Sequence, residues 1–175
     1  VHNAPSTQSP FTPALLQPGD CLLYAPSDVF DWGVVMKTWT RVSHVEVYIG
    51  NDVSVASRNG KGVDKYPVRP DHVALVRRPG SRFNLEAAMR WFYYGDGTSP
   101  KAQGQKYGWR TLLTFVLLNN NPIEGHMICS EFVAGFYRAG GNPLFAADWP
   151  DYRTPPSLEV ATPALTTIWD NGKVF

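Results

Sequence analysis

The strongest constraint on this chain is where its hydrophobic patterning changes period. Between residues 21 and 77 most apolar residues come in short runs broken by turn residues, the mark of strands. The turn Gln17-Pro18-Gly19-Asp20 leads into Cys21-Leu22-Leu23-Tyr24, a short strand. Val42–Ile49 alternates like a strand, and Gly50-Asn51-Asp52 turns it into a second one over Val53–Ser57. Asn59-Gly60 is a hairpin-type turn, and His72–Arg77 reads as a further strand. One helical stripe interrupts this region, with Trp32, Val35, Met36 and Trp39 spaced along Asp31–Thr40.

Beyond residue 80 the period becomes mostly helical. Asn84 is placed to cap a helix through Tyr94, with Leu85, Ala88, Met89 and Phe92 facing inward. Trp109–Leu118 is apolar nearly all round, as a buried helix would be, and Ser130–Ala139 forms a third helix closed by Gly140-Gly141. Ser157–Ala161 makes a helical turn and Thr166–Asp170 a late strand. Strands gathered early and helices late predict an α+β fold with an antiparallel sheet.

Composition narrows the class. The 175 residues suit one domain, with residues 1–16 an extended, Pro-punctuated lead-in and 17–175 the folded unit. A chain that is 43% hydrophobic is too apolar for disorder despite its 15 Gly and 15 Pro. A net charge of +1, with no Lys/Arg run beyond two residues, lacks the basic footprint of a nucleic-acid binder. No targeting or transmembrane segment is expected: residues 1–10 are polar, and the apolar run Leu112–Leu118 is too short to cross a bilayer. Cys21 and Cys129 lie 108 positions apart, and neither Cys-x-x-Cys nor His-x-x-x-His spacing occurs. The cysteines are therefore not a disulfide framework, and neither a metal nor a cofactor is expected.

Cys129 opens a helix, where the dipole and unpaired backbone N–H groups favour a thiolate. It also shares a face with Phe132, Val133 and Phe136, so the competing reading is a small packing residue. A thiol nucleophile needs a base. His2 lies in the lead-in, His44 and His72 begin strand-like segments, and His126 is only three residues from Cys129. Cys21, inside an apolar strand, reads as core. The stretch Asn59-Gly60-Lys61-Gly62 lacks the phosphate-loop pattern and reads as a hairpin turn.

Several segments taken together resemble a known family. These are Pro18-Gly19-Asp20 before a strand, Ser43-His44-Val45-x-x-Tyr48-Ile49-Gly50, and Gly60-Lys61-Gly62-Val63. Further along come Gln105-Lys106-Tyr107-Gly108-Trp109, Ile128-Cys129-Ser130-Glu131-Phe132-Val133 ending in Ala139-Gly140-Gly141, and Thr154-Pro155-Pro156-Ser157-Leu158. In order and spacing they resemble the circularly permuted NlpC/P60 proteins, the YiiX-like group of papain-like cysteine hydrolases. The resemblance runs from about residue 17 to 170. It implies a papain-like fold, an antiparallel sheet or partial barrel packed on helices.

It also implies Cys129 as nucleophile and His44 as base. The family often has a polar third residue, frequently Glu, on the strand after the histidine strand, which falls near Ala56 here. Ser54 and Ser57 are the nearby substitutes. Glu46 is another solution, because positions 44 and 46 share one side of a strand; the alternative is a solvated strand residue. The expected activity is cysteine hydrolysis through a thioester, acting on peptide or amide bonds of bacterial cell-wall peptidoglycan. A secreted, periplasm-targeted or virion-associated setting is expected, with a cognate inhibitor or delivery protein as partner. The alternatives are a catalytically silent papain-fold binding module, a lipid-ester hydrolase or acyltransferase, and a redox regulator using Cys129.

Overall fold

A computed structural model describes residues 11–26, 41–97, 100–108, 126–146 and 156–172. The helices expected over 31–40 and 109–118 lie outside the described residues.

Short β-branched runs separated by tight turns build the sheet. The strands are β1 (Cys21–Tyr24), β2 (His44–Gly50), β3 (Val53–Arg58), β4 (Gly62–Pro67), β5 (Val73–Pro79) and β8 (Leu165–Asp170). They form one six-stranded antiparallel sheet in the order β4-β3-β2-β1-β5-β8. The chain is α+β. Asn51 and Asp52 take left-handed backbone, φ 53° and 56°, which Asn and Asp tolerate best among residues with side chains. The expected strand at His72 starts one residue later, because Pro70–His72 forms a single 3-10 turn.

The strand β4 had no range of its own in the sequence, and the two-residue parallel pair β6 (Lys106–Tyr107) with β7 (His126–Met127) was not foreseen. Gly62 explains the nearby junction: at φ 80° a side chain is strained, and a Cβ would run into the Gln105 carbonyl oxygen. That carbonyl accepts from the Val63 N–H at 2.9 Å.

Alternation divides the sheet into two faces. Cys21, Leu23, Val45, Val47, Val55 and Leu75 face the helices and form the larger core. Leu22, Tyr24, Tyr48, Val73 and Val76 lie on the other face, under Leu16 and Trp169.

Helix α1 (Leu85–Tyr94) begins as expected, the Asn84 side chain accepting from the Ala87 N–H at 3.0 Å. Helix α2 (Cys129–Ala139) buries Phe132, Val133, Phe136 and Tyr137 against α1 and the sheet. Each such side chain contributes roughly 1.5–3 kcal/mol by leaving water. The Tyr137 hydroxyl donates to the Gly19 carbonyl at 2.6 Å, tying α2 to the turn before β1. A short helix, α3 (Pro156–Ala161), packs beside α2. Among the described residues no helix is long and apolar enough to cross a membrane.

Candidate active site

The site forms at the start of β2, beside the first turn of α2. His44 is the first residue of β2, paired across β1 with Tyr24, while Glu46 is paired with Leu22. Both side chains leave the strand on the same side, as the spacing predicts. Glu46 is fully buried, so the solvated reading does not hold.

The carboxylate gathers six donors. Its Oε1 accepts from His44 Nε2 at 3.0 Å, Arg58 Nε at 2.7 Å and Arg69 Nη2 at 3.4 Å. Its Oε2 accepts from Arg58 Nη2 at 3.0 Å, from the Tyr24 hydroxyl at 3.3 Å, and from the Ser54 hydroxyl in a short contact. Burial pushes the Glu46 carboxyl up, but the hydrogen bonds and charges of His44 and Arg58 reverse this and hold it well below the ordinary carboxylate range. An ionised carboxylate only accepts, so the His44 proton sits on Nε2 and Nδ1 is the nitrogen left over.

Cys129 lies at the first turn of α2, 4% exposed, and close enough to the His44 imidazole to act on its charge. Burial opposes a charged ring. Cys129 and then Glu46, through charge and hydrogen bonding, overcome it and raise His44 from 6.5 to about 9. Ile128, just before the helix, has no side-chain acceptor to cap it, and its own N–H donates to Glu131 Oε2 at 3.3 Å. Cys21 is the opposite case. It is fully buried, and that burial pushes its thiol well above the ordinary value.

A scan against protein-family models and a search of curated protein sequences each return no match.

The structure brings Cys129, His44 and Glu46 together and leaves the other candidates aside. Ala56 is a buried apolar residue. Ser54 bonds the carboxylate rather than the imidazole, and Ser57 donates to the Met127 carbonyl at 2.5 Å. His72 ends its 3-10 turn and is exposed. Among the described residues no group of three or more His, Cys, Asp or Glu is placed to hold a metal ion.

Sequence reasoning missed Arg58, Arg69 and Tyr24. Arg58 had a readable signal. The hairpin pairs Val47 with Val55 and Tyr48 with Ser54, and the same register carried outward sets Arg58 opposite His44. Arg69 comes from the segment between β4 and β5 and stacks over the Tyr24 ring, 4.6 Å from its centroid.

Proposed function

We propose that this chain is a cysteine hydrolase with a papain-like, permuted NlpC/P60 arrangement, cleaving amide bonds through a thioester. The observation that carries this reading is one imidazole shared between a thiol and a buried carboxylate, the arrangement of a nucleophile, its base and an orienting group.

The Cys129 thiolate attacks the substrate carbonyl carbon, forming a C–S bond and an oxyanion. Backbone N–H groups of the first turn of α2 are the donors available to that oxyanion. As the intermediate collapses, the C–N bond breaks and the His44 imidazolium gives its proton to the departing amine. His44 then takes a proton from water, whose oxygen attacks the thioester. The C–S bond breaks, the carboxylic acid leaves, and the proton returns to the Cys129–His44 pair. Glu46 stays ionised throughout and keeps the ring turned. The family resemblance directs the choice of substrate toward peptide bonds of bacterial cell-wall peptidoglycan.

Turnover of peptidoglycan fragments by wild type, Cys129→Ala and His44→Ala tests the reading. Loss of activity by 10³-fold or more is expected in both variants. Equal product from all three proteins refutes it, and wall binding without any product identifies a silent binding module. Iodoacetamide at pH 6 supplies a substrate-free check: Cys129 is expected to label much faster than a free thiol, and Cys21 not at all.

A further inference from the structure

Glu46 is over-supplied with donors. A carboxylate offers about four lone-pair sites, and six donor atoms from five side chains point at this one, three of those side chains cationic when His44 is protonated. Orienting an imidazole takes a single contact, and positive neighbours work against an imidazolium. The arginines therefore need a reason of their own.

Arg58 is held from three directions. It grips both carboxylate oxygens, donates to the Pro67 carbonyl at 3.0 Å, and lies over the Tyr66 ring, 4.4 Å from the centroid. Arg69 is held less firmly. It reaches Glu46 through one nitrogen at 3.4 Å, and its Nε is buried without a partner.

We propose that Arg58, seconded by Arg69, is a positioning residue that divides the charge of Glu46 and so limits how tightly His44 holds its proton. This deepens the Cys129–His44 reading and rests on it. A base that must take a proton from the thiol, give it to a leaving group and take another from water works best when neither form is locked. Glu46 alone, buried beside the ring, would lock the charged form. Arg58 is at most two hydrogen bonds from His44 Nε2, through the shared Oε1, and opposes that charge directly. The charged and titratable groups facing His44 are Tyr24 on β1, Glu46 on β2, Arg58 on β3 with Tyr66 of β4 behind it, Arg69, and Cys129 on α2.

The test reads the His44 titration by NMR with ¹⁵N-labelled histidine, in a Cys129→Ala background that removes the thiolate. Glu46→Gln is expected to lower the His44 midpoint. Arg58→Gln is expected to raise it by about one pH unit and Arg69→Gln by less, while Arg58→Lys, keeping the charge, stays within a few tenths of the parent. A midpoint that is unchanged or lower in Arg58→Gln overturns the proposal. If Arg58→Gln does not fold, Arg69→Gln decides, and an unmoved midpoint there overturns it equally. Because the titration is read without Cys129, an unreactive thiol defeats the hydrolase reading and leaves this measurement valid.

Discussion

Two glutamates, Glu46 and Glu159, are both fully buried, and the protein treats them in opposite ways. Glu46 meets two arginines, a histidine and two hydroxyls and stays ionised. Neither carboxyl oxygen of Glu159, on α3, has a hydrogen-bond partner. Burial first, and then the negative charge of Cys129, push its carboxyl well above the ordinary value, so it is held neutral. An arginine is at hand even there. Arg77 Nη1, however, donates to the backbone carbonyls of Glu159 and Val160, at 2.9 and 2.6 Å, and Nη2 to that of Leu165. Its charge serves the open end of a short helix, where carbonyls lack intrahelical partners, rather than the carboxyl. Burial therefore does not decide whether a carboxyl is charged. The donors aimed at its oxygens do.

The largest test of this contrast is Glu46→Ala, which leaves two arginines beside the site without their anion. Urea denaturation at pH 7 is expected to show a loss of about 3–5 kcal/mol, and a loss below about 1 kcal/mol would mean that Glu46 anchors nothing. Glu159→Gln should move the other way. A carboxyl whose folded value is raised stabilises fully below its ordinary value of 4.5 and loses that contribution as pH rises toward the folded value. The Gln variant should thus match wild type near pH 4 and exceed it at pH 8, the gap growing by up to about 1.4 kcal/mol per pH unit. A constant gap at both pH values would break the comparison.

His44 gives an intermediate effect. Its value rises from 6.5 to about 9, so its contribution is complete below pH 6.5 and fades as pH climbs through 9. His44→Gln should flatten the stability profile across that window, by up to about 1.4 kcal/mol per pH unit. Glu46 acts at the acid end: its depressed value means stability present above 4.5 and lost as pH falls. Ser54→Ala is the smallest change. Five donors remain on Glu46, so about 0.5–1.5 kcal/mol is expected by the same denaturation measurement.

Much of this could be read from local patterns. Asn84 before an amphipathic run located α1, Cys129 ahead of a Phe–Val–Phe stripe located α2, and Cys21 in an apolar tetrapeptide went to the core. These features depend on neighbours within a turn or a strand. The parts that were not legible depend on distant ones. Lys106-Tyr107 carries no strand pattern and becomes β6 only by lying beside β7 and near the Gly62 junction. Arg58 and Arg69 look like solvated charges until register and the path into β5 bring them to Glu46. Glu159, in a six-residue helix, owes its burial to packing beside α2. The resemblance pointed to Ala56, on the following strand, for the third group, whereas the carboxylate that meets His44 is Glu46, offered by its spacing on the histidine's own strand.

His44 and Cys129 are 85 positions apart in the sequence, and the docking of α2 onto the sheet is what joins them. During synthesis the strands β1 to β5 and the clamped imidazole emerge first, and the thiol follows. A chain caught between these stages holds a complete base with nothing to activate. Closing so long a loop is repaid only when the aromatic face of α2 seats and Tyr137 reaches Gly19. Reactivity at Cys129 therefore doubles as a timestamp: its appearance during refolding should mark the moment that α2 locks onto the sheet.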